Sequence, residues 1–237
     1  MLNLKQEMQN WKQTPEIPRR LIAFGASNTE LGWHSEGCHN WVSWLYCSLR
    51  SSVGRHVTVI NQGFCGDTSK GLLSRMQRDV IAFSPDIAII MVGGNDVNAG
   101  LPAGKYKENL TFAIDTMLSH NIVPVMQTSY AYIFHHGYNR ALFDAYSEVN
   151  RTLSKEFDIP IVDHYQLFIA FYDYNQEQYC QLMHDAMHVN ALGNLVMGLH
   201  ENDMFGLSPI TAPNYRMERA MDFYTRMKQL TEGRTAE

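Results

Sequence analysis

The sequence predicts a three-layer α/β/α sandwich, and three observations predict it. Five short apolar runs rich in Val and Ile recur along the chain: RLIAF (20–24), VTVIN (57–61), DIAIIMV (86–92), IVPVMQT (122–128) and IPIVD (159–163). They are continuous rather than alternating, which is how strands read when both faces are buried in a parallel sheet. They start at 20, 57, 86, 122 and 159, so consecutive starts lie 29 to 37 residues apart, about the length of one βα unit with its right-handed crossover. Helical patterns fill the intervals.

Each element follows from its own pattern. In 104–120, Tyr106, Leu110, Ala113, Ile114, Met117 and Leu118 fall on one helical face, and in 139–157, Leu142, Tyr146, Val149 and Leu153 do the same. The tail reads as two further helices, 191–205 and about 214–231, separated by the segment Gly206–Pro213. Their Leu and Met stripes are expected to pack into the core. At 237 residues the chain suits one generous α/β domain (1–237): a core at about 20–205, an N-terminal extension over 1–19 and the C-terminal helix. A chain of this size buries roughly 70% of its unfolded surface and needs no disulfide or metal staple.

Composition excludes several function classes. The apolar share is 45%, the charged share 18% and the net charge −5, ordinary values for a soluble globular protein. A mildly acidic chain without a basic patch argues against a nucleic-acid partner. Cys38, Cys47, Cys65 and Cys180 form no C-x-x-C pair, so they are expected to be reduced, partly buried thiols. The first twenty residues are polar and lack the apolar core of a signal peptide, and no run approaches the roughly 20 residues of a membrane span. The expected address is the cytoplasm. Oligomeric state is not legible.

In open α/β sheets ligands sit outside the carboxyl ends of the strands, and polar, glycine-rich segments lie there: Gly25-Ala26-Ser27-Asn28-Thr29, Gln62-Gly63-Phe64-Cys65-Gly66-Asp67-Thr68, and Gly93-Gly94-Asn95-Asp96. A fourth segment, Asp185-Ala186-Met187-His188-Val189-Asn190, comes later. Acyl transfer by a serine needs a hydroxyl with a base, a group that orients the base, and donors for the oxyanion. Ser27 supplies the hydroxyl, and its N–H is expected at a helix start pointing into the site. His188 supplies the base. Asp185, three residues earlier, can reach its Nδ1–H. Asn95 and the unobstructed N–H of Gly66 can donate to the oxyanion. Taken singly each has a plainer reading: a helix N-cap for Ser27, a cap or packing role for His188, turn residues for Asn95 and Gly66. Their conjunction at predicted rim positions is what points to chemistry.

These four ordered segments resemble the blocks of the SGNH hydrolases, the GDSL-like esterases, lipases and acylhydrolases. FGASNTE stands where that family usually reads G-D-S. NQGFCGDTSKGLLSR (61–75) resembles the second block, G-G-N-D the third, and DAMHVN the D-x-x-H block. The resemblance spans about residues 20–205. It implies a flavodoxin-like five-stranded parallel sheet and no metal or organic cofactor. It also implies a Ser27 nucleophile with His188 as general base and acid and Asp185 as orienter. The oxyanion hole would consist of the Ser27 and Gly66 N–H groups and the Asn95 amide. The partner it implies is a small-molecule acyl ester: a carbohydrate O-acetyl group, a short acyl ester or a thioester. Two positions depart from the pattern: Ala26 replaces the usual Asp, and Val189 the usual Pro after the histidine. Ala26 motivates a competing reading, a binding module that keeps the pocket without turnover. A nucleotide-binding protein is disfavoured because no GxGxxG or GxxxxGK[ST] follows the first strand.

Trp33, Tyr130, Tyr132, Phe134 and Met187 lie in or near rim loops and are candidates to line the substrate pocket, Trp33, Tyr130 and Met187 foremost. His34, His39, His135 and His136 lack metal-site spacing and are expected on the surface or in packing. Asp67 and Asp96 are expected to brace loops.

Overall fold

The computed structural model describes residues 2–208 and 215–234. Five parallel strands, β1 (Arg19–Gly25), β2 (Val57–Gly63), β3 (Ile87–Met91), β4 (Val123–Gln127) and β5 (Ile161–Val162), lie in the order β2-β1-β3-β4-β5. This is the flavodoxin-like order. β1 from Leu21 onward and all of β3 are buried, as continuous apolar runs require at the centre of a doubly covered sheet. The VTVIN run departs from the expectation of burial on both faces. β2 is an edge strand, with Thr58 exposed and Val59 and Ile60 half-buried. Its β-branched residues favour the extended backbone without demanding a second covered face.

Ten helices complete the described chain: α1 (Leu4–Gln13), α2 (Trp41–Ser52), α3 (Ser69–Asp79), α4 (Gly94–Asn98), α5 (Ala103–Ser119), α6 (Arg140–Glu156), α7 (His164–Tyr174), α8 (Gln176–Cys180), α9 (Ala191–Phe205) and α10 (Tyr215–Arg234). α3, α5 and α6 pack together on one face of the sheet, while α2 and α9 cover the other with α1 and α10 against them. Asn, Thr and Asp side chains cap these helices where the chain leaves a loop: Asn40 before α2, Thr68 before α3, Asn139 before α6, Asp163 before α7 and Asn190 before α9. Each accepts a backbone N–H that would otherwise lack a partner.

Three helices were not foreseen: α1, α7 and the short α8. The N-terminal extension forms α1, capped by Asn3, with Leu4, Met8 and Trp11 buried on one side. α7 is buried nearly all round, so it carries no one-sided stripe for a periodicity argument to detect. The separator expected between the last two helices lies, over 209–213, outside the described residues. Before it, α9 ends on Gly206 at φ 68, a left-handed cap that glycine adopts without strain. Cys38, Cys47 and Cys180 are half-buried, whereas Cys65 is exposed on the loop after β2.

Candidate active site

The ends of three strands are level. Gly25 of β1 pairs with Gly63 of β2 and with Met91 of β3, so the loops that follow start at one height. The chain reverses its order across β1 and β3, which is where a crevice opens in such sheets. The segment after β1 turns back at once: the Ala26 carbonyl accepts the N–H groups of Thr29 and Glu30, both at 3.0 Å. This is one isolated turn. Helix α2 begins only at Trp41, so Ser27 is neither an N-cap nor at a helix start, and the sequence expectation is corrected on that point.

Ser27, 7% exposed, donates its hydroxyl toward Nε2 of His188 at 3.0 Å. His188 Nδ1 lies 2.8 Å from Asp185 Oδ2. The other carboxylate oxygen accepts the N–H of Met187 at 2.6 Å and of His188 at 2.8 Å. The Asp185 turn therefore orients the ring and closes its own backbone with one side chain. Partial burial raises the Asp185 pKa, but the Met187 N–H and the His188 contacts outweigh it and hold the carboxyl below its usual range. Above this turn, Met183 and Val189 form a short antiparallel bridge, and Asn190 caps α9. The plainer role considered for His188 thus falls to Asn190.

Asn95 lies in the first turn of α4, directly after β3. Gly93 has φ 127, and a Cβ on Gly94 would fall 2.0 Å from the Tyr132 hydroxyl; neither place admits a side chain. The Asn95 amide donates to the Asp67 carbonyl at 2.8 Å. Gly66, at φ 79, is exposed, with nothing within 4 Å of where a Cβ would stand. Asp67 and Asp96 brace loops as expected. Asp96 accepts the Ser69 N–H and hydroxyl and so ties α4 to α3; burial pushes its carboxyl up, and the Ser69 bonds oppose that.

Arg75 was not foreseen. From α3 its guanidinium reaches the Asp67 carboxylate at 2.7 Å, Asp79 at 3.0 Å, the Gln62 carbonyl at 3.0 Å and the Gly25 carbonyl at 2.9 Å. It lies over the Phe24 ring at 4.5 Å. One buried cation thus joins the ends of β1 and β2 to the loop carrying Gly66. It holds the residue before Ala26, the position at which the family's usual carboxylate is missing. A cavity of about 20 Å³ lies beside Ala26 and Ser27, between Met91, Val92, Gly94 and Tyr132, room for about one water.

The pocket candidates separate. Tyr130 is fully buried, so its assignment to the substrate pocket is corrected. Its hydroxyl accepts the Val189 N–H at 3.0 Å and is shared between the Met187 carbonyl and the Asn28 side chain. It clamps the nucleophile's turn to the His188 turn from beneath. Tyr132 lines the small cavity. Met187 is half-buried, with its sulfur 3.7 Å from the Asn98 amide. Phe134 packs edge-on against Phe143 and Tyr172. Trp33 opens a 3₁₀ turn at Trp33–Ser35; its side chain lies outside the described residues. His39 packs edge-on against Trp44, and His135 contacts Tyr172. His34 is buried against the His188 ring. Among the described residues no group of three or more His, Cys, Asp or Glu side chains is placed to hold a metal ion.

A hydrogen-bonded Ser–His–Asp chain thus lies at the strand-order reversal of this α/β/α sheet. The chain belongs to the GDSL-like Lipase/Acylhydrolase family, whose model matches residues 23–196. A Bacillus subtilis (strain 168) protein named uncharacterized lipoprotein YqeF is 28% identical over 176 residues, covering 63% of this chain and 72% of its own. Among solved structures, the acetyl xylan esterase AlAXEase superposes with a TM-score of 0.69 at 24% identity, covering 78% of this chain and 98% of its own. The acetylxylan esterase Axe2 of Geobacillus stearothermophilus gives 0.68 at 21%, covering 83% and 98%. A lipase/acylhydrolase of Enterococcus faecalis gives 0.63 at 20%, covering 82% and 100%. No described helix is long and apolar enough to cross a membrane.

Proposed function

We propose that the protein hydrolyses small acyl esters through an acyl-serine intermediate. The observation that carries this reading is the unbroken chain from Ser27 Oγ through the His188 ring to Asp185, with links of 3.0 and 2.8 Å. Ser27 Oγ attacks the ester carbonyl while Nε2 of His188 takes its proton. Asp185 holds the tautomer that leaves Nε2 free to accept and stabilises the imidazolium that forms. The carbonyl oxygen, now negative, receives the Ser27 and Gly66 N–H groups and the Asn95 amide. Collapse expels the alcohol, which takes the proton from His188. Water then attacks the acyl-serine by the same route and releases the acid.

The binding-module reading rested on Ala26. Arg75 weighs against it, because its bonds to the Gly25 and Gln62 carbonyls and to Asp67 brace the same loops by another route. The acetylated-carbohydrate specificity of the two esterase neighbours, the narrow space beside Ser27 and the exposed Phe64 near Gly66 together favour short acyl groups on a bulky, ring-containing alcohol. The test is turnover of p-nitrophenyl acetate, acetylated xylooligosaccharides and acyl-CoA by the wild type and by Ser27→Ala. An acetyl ester should be cleaved fastest, and Ser27→Ala should lose about 10⁴-fold or more in kcat. No turnover of any of them, or undiminished turnover by Ser27→Ala, would overturn the reading.

A further inference from the structure

His34 lies in the 3₁₀ turn after the nucleophile's loop, and the residue is 3% exposed. The ring folds back over Gly32: a Cβ there would stand 2.6 Å from His34 Cε1 and 2.9 Å from Nδ1, so only glycine leaves it room. It stacks on the His188 ring with centroids 4.8 Å apart and planes 24° from parallel. One buried side chain therefore covers a face of the base.

The geometry of His188 explains what such a contact does. Its two hydrogen bonds, to Ser27 through Nε2 and to Asp185 through Nδ1, fix the ring at opposite ends. They leave it free to rock about the line joining them. A flat partner on one face removes that freedom. Rocking matters because proton transfer from a serine weakens steeply as the acceptor lone pair tilts away. Burial, and next the nearby His188, lower the His34 pKa to about 4; Asp185 raises it and His184 lowers it further. The ring is thus neutral when His188 becomes a cation, and it adds no repulsion to the charge formed in acylation.

We propose that His34 is a positioning residue for this hydrolase: stacked on His188, it holds the plane of the base in line with the nucleophile's hydroxyl. This rests on the acyl-serine reading above.

The test compares His34→Phe, which keeps a flat face, with His34→Leu and His34→Ala, which do not. Three readouts are taken: p-nitrophenyl acetate kinetics, the rate of labelling by a fluorophosphonate probe, and the low-field proton NMR signal of the His188–Asp185 bond. Thermal midpoints identify variants that fail to fold. If His34→Ala is among them, Phe against Leu decides. We expect His34→Leu and His34→Ala to lose about 10- to 100-fold in kcat and in labelling rate, with KM little changed and the low-field proton broadened. His34→Phe should keep most of all three. Leu and Ala variants that label at the wild-type rate, or a Phe variant that falls as far as they do, overturn the positioning role while leaving wild-type labelling at Ser27 intact. A wild type that is not labelled at Ser27 overturns the acyl-serine reading itself, and the positioning role with it.

Discussion

The Asn95 side-chain amide donates to the backbone carbonyl of Asp67 at 2.8 Å, joining the loop after β3 to the loop after β2 one residue beyond Gly66. An amide carries two N–H bonds. This contact uses one and fixes the group's plane, so the second is held in a set direction before substrate arrives. Preorganised donors of this kind act mainly in the transition state.

Asn95→Ala should therefore lower kcat by about 10²- to 10³-fold, with KM little affected. Steady-state kinetics with p-nitrophenyl acetate check this. An unchanged kcat would remove Asn95 from the oxyanion site.

Asp185 spends one oxygen on two backbone N–H groups and the other on His188. Asp185→Asn keeps the size but offers His188 an amide that favours the wrong tautomer. A loss of about 10⁴-fold in kcat is expected, as for orienting carboxylates generally. A loss below tenfold would mean that the ring is oriented by other contacts.

Arg75 and Asp67 each have side chains only 9% exposed. Removing the cation by Arg75→Met strands a buried carboxylate, a change that costs about 3–5 kcal/mol. Urea unfolding should show that loss. Adding Asp67→Asn should recover part of it, because the two residues share one interaction. Strictly additive losses would show that Arg75 stabilises through its stacking on Phe24 rather than through its charge.

Between α7 and α9 runs a chain in which Glu201 and His164 are buried and His200 half-buried: Glu201 Oε1 is 3.1 Å from His164 Nε2, and His164 Nδ1 is 3.0 Å from His200 Nδ1. Burial raises the Glu201 carboxyl to about 8 and lowers each histidine to about 3. A neutral carboxylic acid donating to His164, which donates to His200, satisfies the line without charge. Between a usual value near 4.5 and about 8, the folded protein keeps a proton that the unfolded chain releases. The contribution of Glu201 to stability therefore falls as pH rises through that window. Glu201→Gln removes this loss. Its melting temperature relative to the wild type should climb steadily from about pH 5 to about pH 8. A difference that is flat across that range would show that Glu201 is ionised when folded.

What the sequence revealed follows from how local each signal is. The central strands and the segments after them were legible because a continuous Val/Ile run ending in Gly is both a strand and its stop. Helices α5 and α6 were legible from one-sided stripes. α7 was missed because a helix buried on all sides has no stripe. β2 was read as fully buried because its residues suit a strand wherever it sits. Ser27, Asn95 and the Asp185–His188 pair could be named because each lies in a short motif. Tyr130, by contrast, was named for its loop position, and only the fold shows its hydroxyl spent on Met187, Val189 and Asn28. His34 and Arg75 carried no local mark at all. Their partners, His188 and the Gly25 carbonyl, are remote in the chain, and only the sheet's topology brings them together.

The central claim is that Ser27 carries the acyl group during turnover. Acid-quenching the enzyme during hydrolysis of an acetyl ester, followed by peptide mass mapping, tests it most directly. One acetyl group should be found on the peptide containing Ser27, and it should be absent from Ser27→Ala. Full turnover with no acetylated peptide, or an acetyl group on another residue while Ser27→Ala still works, would contradict the account.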